Sequence, residues 1–237
     1  MTPALWKDLF REIRHSLGRY LSILAITALG VSFFAGIKAS APDMKNSADV
    51  YFDKYNMQDI QVFSTVGLSQ SDLDELKKVS GVEDVQGQFS ADYLCKNGNR
   101  ELTVNVRSFT KGQSVNKPRL IDGRWPENEN ECLAEADSAT SNMFGAFEIG
   151  DKIRFYPGTD TPVSDDLKTD EFTVVGKAYN PNYLSYNHGS SSIGSGTIDT
   201  YFYVLQDAVK ADYFTEIDLT VNGARCGYVY AGVLRPD

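Results

Sequence analysis

One segment of the sequence constrains the fold more than any other, because it runs for eighteen residues without a charge. It extends from Tyr20 to Ile37 and is bounded by Arg19 and Lys38. About 17 to 25 apolar residues cross the hydrocarbon core of a bilayer as an α-helix. A buried core helix is a poorer interpretation, because such helices rarely lack a polar face over about five turns. The segment therefore predicts a transmembrane helix over residues 20–37.

A cleavable signal peptide is the main alternative interpretation of this segment. Ala39, Ser40 and Ala41 have the small-x-small pattern of a cleavage site. Cleavage there would place Pro42 at the first mature position, and the apolar run exceeds the roughly 7 to 15 residues of a signal core. We therefore expect the helix to be retained as an anchor.

The residues before the apolar segment predict its orientation. Residues 1–37 carry four cations and two acids, a net charge of +2. The whole chain has a net charge of -9, so residues 38–237 carry a net charge of -11. The positive-inside rule places the N-terminus in the cytoplasm and residues 38–237 outside it, at the cell membrane. The acidic charge of residues 38–237 argues against nucleic acid as a partner, because binding to phosphates needs clustered Lys and Arg.

The first 19 residues predict an amphipathic helix on the inner membrane surface. Apolar residues recur at helical spacing from Leu5 to Leu17, and charged residues fill the other face. The predicted membrane-surface residues are Trp6, Lys7, Arg11, Arg14 and Arg19.

Three small residues in the predicted span favour contact with another helix. Ala28, Ser32 and Gly36 lie four residues apart and share one helix face. Small side chains at this spacing let a second helix backbone approach closely in lipid. We therefore expect a partner helix that residues 1–237 do not supply.

Residues 38–237 show strand-like runs with a few short helical patterns. Residues 69–72 resemble a capping box that starts a short helix, and Asn97 with Gly98 predicts a hairpin turn. Loops are predicted at 157–170 and 180–196. Strands are predicted at 59–63, 82–86, 89–95, 101–109, 152–156, 172–179, 200–205 and 217–221. The predicted fold class is α+β, with a cytoplasmic helix (1–19), one N-terminal transmembrane helix (20–37) and a mixed, strand-rich extracytoplasmic domain (38–237).

The residue types that carry catalysis or bind metals form no convincing pattern. Cys95, Cys132 and Cys226 lack metal-ligand spacing. Buried or idle thiols are the preferred interpretation, and one disulfide with one free thiol is the alternative, for which the sequence does not specify the pair. A hydrolase that uses Ser190 or Ser192 with His188 and Asp199 is an alternative, but the sequence lacks the G-x-S-x-G motif. We expect no catalytic, cofactor-binding or metal-binding residues and no enzymatic activity.

The segment RYLSILAITALGVSFFAGIKASAPDMKNSADVYFDKYNMQDIQV, residues 19–62, resembles the first span and outward extension of FtsX/MacB-like ABC transporter permeases, particularly those of Gram-positive bacteria. Further similarity lies at residues 67–69, 122–126, 149–151, 174–176 and 189–196. The resemblance implies a permease subunit that works with a separate cytoplasmic ABC ATPase and relays its motion to the outer domain. It also implies other permease helices or a second permease copy as partners.

Two other expectations accompany this resemblance. Members of the family have further spans after the outer domain, whereas residues 225–237 depart from the family pattern, so we expect the chain to be the front part of a longer permease. The alternative hypothesis is a single-span receptor or sensor ectodomain that binds an extracellular ligand. The sequence does not identify the client of either.

Overall fold

The structure is a computed structural model that describes residues 3–136, 147–183 and 187–224. The chain divides into two compact units. The first contains the N-terminal helices up to Tyr51, and the second extends from Phe52 to Gly227.

Two helices form the described part of the N-terminal unit. α1 extends from Pro3 to His15, and α2 extends from Leu17 to Tyr55 and ends in the larger unit. The Ser16 hydroxyl between them donates to the Glu12 carbonyl at 2.9 Å, a local bond that competes with regular helix bonding. α2 is long and apolar enough to cross a membrane, and none of its residues is buried. The predicted span therefore lies inside one longer helix.

Strands dominate the larger unit. Its described elements, in chain order, are β1 (Ile60–Leu68), α3 (Gln70–Leu76), β2 (Val82–Gln88), β3 (Ser90–Asn97), β4 (Arg100–Phe109), β5 (Arg119–Gly123), β6 (Glu131–Glu135), β7 (Lys152–Tyr156), α4 (Val163–Asp166), β8 (Glu171–Tyr179), β9 (Thr200–Leu205) and β10 (Phe214–Val221). The predicted α+β fold class is confirmed.

A three-stranded antiparallel sheet, here called the small sheet, has β10 between β1 and β2. Ile60 pairs with Leu219, so the first strand of the unit lies beside the last described one. The predicted capping box at the start of α3 is confirmed, because Ser69 and Asp72 each accept the backbone N–H of the other. α3 then packs on the sheet through a shared core of Leu73, Val85, Ile217 and Leu219.

The large sheet has the strand order β5-β8-β6-β9-β4-β3-β7. β7 pairs with β3 through Leu94 and Cys95 and also with the first residues of β8, so six strands close into a ring. Closure of a sheet in this way removes exposed strand edges. β5 lies outside the ring and pairs with the second half of β8.

The core of the larger unit lies on both faces of β9, whose six residues are all buried. Phe202 and Val204 belong to one apolar cluster, and Tyr201, Tyr203 and Leu205 belong to another. This division follows the two-residue period of a strand. β9 is therefore buried like the central strand of a two-sided core.

The predicted strands are confirmed with small shifts at their ends. A two-residue turn at Gly98 and Asn99 joins β3 to β4, as the hairpin signal predicted. β5 and β6 were not predicted, and α4 lies in a segment predicted as loop. Residues 131–135 of β6 contact strands on both sides and are almost wholly buried, so they lack the polar alternation by which a half-buried strand is recognised.

Candidate functional site

The residue after α2 is hydrogen bonded to the segment between β4 and β5. Asn56 has a left-handed backbone (φ 47°), a conformation that asparagine tolerates better than most residues. Its side chain donates to the Ser114 carbonyl at 3.0 Å, and its own carbonyl accepts the Asn116 N–H at 3.0 Å. The Gln58 N–H donates to Asn116 Oδ1 at 3.0 Å. These four residues, Asn56, Gln58, Ser114 and Asn116, are called the helix-end junction below.

Asn116 extends the helix-end junction into the small sheet. It is buried, and its Nδ2 donates to Asp218 Oδ2 at 2.7 Å. Asp218 lies in β10, the central strand of that sheet, and is fully buried. Burial raises the pKa of Asp218, and the charge of Arg107 and the bond from Asn116 oppose this rise. A single asparagine therefore links the end of α2 to the middle of the small sheet.

A buried ion pair joins the small sheet to the large sheet. Arg107 of β4 donates to the Glu216 carboxylate of β10, and both side chains are nearly inaccessible to solvent. Arg107 also donates to Gln88 at 3.1 Å, and Gln61 donates to Glu216 at 3.2 Å. Buried charges are tolerated only when they are paired and further hydrogen bonded, and removal of one partner typically costs about 3 to 5 kcal/mol. The two sheets are thus held in one arrangement by polar contacts.

Comparison with known proteins identifies the family of the domain that contains the helix-end junction. The family model of the MacB-like periplasmic core domain matches residues 20–226. The chain belongs to this family.

Two solved structures are also similar to this MacB-like core domain, although at low identity. The extracellular domain of the noncanonic ABC-type transporter YknZ from Gram-positive bacteria has a TM-score of 0.43 and 13% identity, covering 68% of this chain and 76% of that one. The periplasmic region of MacB from Actinobacillus actinomycetemcomitans has a TM-score of 0.39 and 13% identity, covering 69% and 67% respectively. No curated protein sequence matches the chain. Family membership therefore rests on the family model.

Membership confirms the predicted relation to FtsX/MacB-like ABC transporter permeases. The larger unit is accordingly an extracytoplasmic MacB-like core domain, and α2 is its candidate membrane anchor. The division at residues 19 and 37 stays a prediction, and so does the cytoplasmic position of the N-terminus.

The predicted helix-packing residues all lie in α2. Ala28, Ser32 and Gly36 are exposed, and a Cβ built on Gly36 would meet no atom within 4 Å. The face is therefore open in the described chain, and its contact with a partner helix stays a prediction.

The predicted membrane-surface residues lie on α1 and the first turn of α2. The Trp6 and Phe10 rings are tilted relative to each other, with centroids 6.1 Å apart, and both side chains are exposed. Arg11, Arg14 and Arg19 line a notch of about 720 Å³ around Ser16, where the two helices meet. The structure thus gathers three of the predicted cations at one place, whereas their contact with a membrane stays a prediction.

His188 is buried in the loop that joins β8 to β9. His188 Nε2 lies 2.9 Å from Glu135, and the Tyr183 and Tyr201 rings lie 4.8 Å and 5.7 Å from the imidazole. The Asp199 carboxylate accepts the Thr103 N–H. His188 and Asp199 are therefore bonded to different partners and not to each other. Within the described ranges, no three His, Cys, Asp or Glu side chains cluster as metal ligands would.

Cys95 and Cys132 are buried free thiols, as predicted. Burial raises the pKa of Cys95 to about 12 and that of Cys132 well above its usual range. Cys226 lies outside the described residues.

No role was predicted from the sequence for the residues of the helix-end junction or for Asp218. In β10 the order Ile217, Asp218, Leu219 reads as apolar alternation with Asp218 facing solvent. The structure instead buries Asp218 against Asn116. The partners are about one hundred residues apart, so no local signal could have paired them.

Proposed function

We propose that this chain is the N-terminal portion of a permease subunit of an ABC transporter. In this proposal α1 and α2 relay ATPase-driven motion across the membrane to the extracytoplasmic domain. The observation that carries the proposal is the bonded path from Asn56 through Asn116 to Asp218. A displaced helix end would carry with it the central strand of the small sheet, and through Glu216 and Arg107 the large sheet.

The path is suited to moving a domain as a rigid body. Its junction atoms are joined by hydrogen bonds of 2.7 to 3.0 Å, and Asn116 and Asp218 are buried. Packed elements of this kind shift as units instead of deforming continuously. We therefore propose that the domain changes position, and not internal fold, during a transport cycle.

Three further parts of the proposal concern the orientation of the chain, the source of motion and the role of the domain. The excess of Lys and Arg before α2 supports a cytoplasmic N-terminus. Family membership supports a separate ABC ATPase as the source of motion. The domain itself is proposed to be non-catalytic, with its role limited to coupling and client binding.

The test uses the full-length permease and the ABC ATPase that co-purifies with it, reconstituted in lipid nanodiscs. Spin labels at Lys7→Cys and Lys96→Cys, with Cys226 replaced by Ser, report the distance between α1 and β3. Asn116→Gly removes both side-chain bonds while suiting the positive φ of 52°. Asn99→Gly, in the exposed hairpin turn, is the matched control.

We expect ATP with vanadate to shift the label distance in the unmodified chain and in Asn99→Gly. We expect Asn116→Gly to lose most of the shift while ATP hydrolysis continues. If no ABC ATPase co-purifies, or if Asn116→Gly shifts as the unmodified chain does, the relay is wrong.

A further inference from the structure

Two neighbouring cavities in the extracytoplasmic domain form a groove with Trp125 between them. The first has a volume of about 290 Å³ and is lined by Phe109, Pro118 and Pro126 together with Trp125. The second, of about 330 Å³, lies between Trp125 and the end of α2, where Tyr55 lines it. Both share Lys117, Pro118 and Trp125, so they are parts of one surface feature. This feature is called the Trp125 groove below.

The floor of the Trp125 groove is apolar and held in place. The Trp125 ring lies 5.4 Å from the Phe109 ring, and Pro118 and Pro126 are buried. Preformed apolar cavities flanked by a few polar groups are the usual form of ligand sites. Each side of Trp125 therefore offers space for one apolar group without prior rearrangement.

The rim of the groove is cationic although the chain as a whole is acidic, with a net charge of -9. Four cations line it, against one carboxylate, that of Glu127. The cations are Lys54, Lys111, Lys117 and Arg119. Lys54 lies 5.5 Å from the Tyr55 ring and Arg119 lies 5.8 Å from the Tyr179 ring. Among the described residues, none of the four cations forms an ion pair within 4.0 Å, whereas several other surface cations do. The positive charge of Lys111 and Lys117 is not neutralised by an ion pair in the described part of the chain and can attract an external anion.

Gln113, a neutral polar side chain that lines the first cavity, already has hydrogen-bond partners in the protein. Gln113 accepts the Thr110 N–H and donates to the carbonyls of Val115 and Asn116. The groove therefore presents mainly apolar surface and cationic groups to a ligand. A complementary ligand carries carboxylates next to apolar side chains.

We propose that the Trp125 groove binds an acidic peptide segment, with one apolar side chain on each side of Trp125 and carboxylates on Lys111 and Lys117. Two adjoining cavities that share one aromatic wall suit successive side chains of an extended peptide. The segment between β4 and β5 lines the groove and also supplies Ser114 and Asn116 to the helix-end junction. A peptide in the groove would therefore contact the element that holds the end of α2. Binding is independent of the proposed relay and requires no ATPase.

The test measures fluorescence anisotropy of a labelled peptide with alternating glutamate and leucine or phenylalanine residues, using the full-length chain in neutral nanodiscs. Lys111→Glu combined with Lys117→Glu reverses the charge of the rim. Lys77→Glu combined with Lys78→Glu, at two exposed positions directly after α3, is the control with the same change in net charge. A peptide with lysine in place of glutamate tests the charge preference, and nanodiscs with anionic lipid test a lipid headgroup as the ligand.

We expect the rim variant to bind the acidic peptide at least about tenfold more weakly than the control variant, and added salt to weaken binding to the unmodified chain. We expect the lysine peptide not to bind. The proposal is overturned if the acidic peptide does not bind, if the rim and control variants bind it equally, or if the rim variant loses only its response to anionic lipid. Circular dichroism of both variants verifies that they fold alike.

Discussion

Two apolar runs in this chain have opposite surroundings. The residues of Tyr20–Ile37 in α2 are all exposed, and the residues of Thr200–Leu205 in β9 are all buried. Leu29 is 70% exposed, whereas Phe202 is completely inaccessible. The runs have similar chemistry, so hydrophobicity alone does not decide whether a segment packs into a protein core.

Length and secondary structure distinguish the two runs. A strand of six residues can be covered by neighbouring strands, and β9 has β6 on one side and β4 on the other. A helix with apolar residues on all its faces needs an apolar environment all round, which a bilayer supplies. The comparison teaches that the driving force that places β9 inside the domain would favour a bilayer around the apolar part of α2.

The largest expected effect comes from a break in the buried run. Phe202→Ala leaves a cavity beside the Phe147 and Phe155 rings, which lie 5.0 and 5.5 Å away. We expect a loss of about 3 to 5 kcal/mol in the free energy of unfolding, measured by urea denaturation of the full-length chain in detergent. Phe63→Ala, at a position that is 68% exposed, is the matched control and should change it by about 0.5 kcal/mol or less. Equal losses in both variants would contradict the burial assigned to β9.

A charge in the exposed run is expected to have the second largest effect. Leu29→Arg places a guanidinium at the centre of the predicted span and disfavours insertion by about 3 kcal/mol. We expect a large fraction of this variant to be extracted by alkaline carbonate, whereas Leu29→Phe should stay with the membrane. Full retention of Leu29→Arg would show that α2 is not embedded in lipid.

The smallest expected effect concerns Glu131, a buried carboxylate at the start of β6. Glu131 accepts two bonds from the Arg124 guanidinium, at 2.7 and 2.8 Å, and others from Glu127 and Asn128. These bonds, led by that of Arg124, hold the pKa of Glu131 well below 4.5. The unfolded chain therefore takes up a proton at this carboxylate first, and the stabilisation is present above about pH 4.5 and is lost as the pH falls further.

We expect Glu131→Gln to lower the melting temperature at pH 7, with a difference from the unmodified chain that narrows below pH 4.5. Glu129→Gln, whose partner Lys168 is exposed, is the control and should show little difference at either pH. A difference that is constant with pH would mean that the bonds of Glu131 do not depend on its charge.

Local patterns in the sequence predicted much of the fold. The uncharged run at 20–37, the capping box at Ser69 and the hairpin turn at Gly98 each depend on neighbouring residues only. The helix-end junction depends on Asn56, Asn116 and Asp218, which are far apart in the chain, and their positions follow from the pairing of β10 with β1 and β2. Such contacts become predictable only when the topology is known.

Similarity to a family located other features without explaining them. Residues 122–126 and 174–176 resembled the family pattern, and the structure supplies the physical reason. A Cβ at Gly176 would lie 2.6 Å from the Arg124 carbonyl and 2.9 Å from that of Asp122, so only glycine allows β5 to approach β8 this closely. The sequence shows the glycine, whereas the backbone that it contacts is visible only in the fold.

The antiparallel pairing of β1 with β10 gives the domain the properties of an insertion. Ile60 lies opposite Leu219, and the Val221 N–H donates to the Asp59 carboxylate at 2.7 Å. More than 150 residues therefore begin and end at almost the same point in space. Segments with adjacent ends can be enlarged, shortened or exchanged in evolution with little strain on the rest of the protein. Such a domain could change its client while the helix that carries it stays the same.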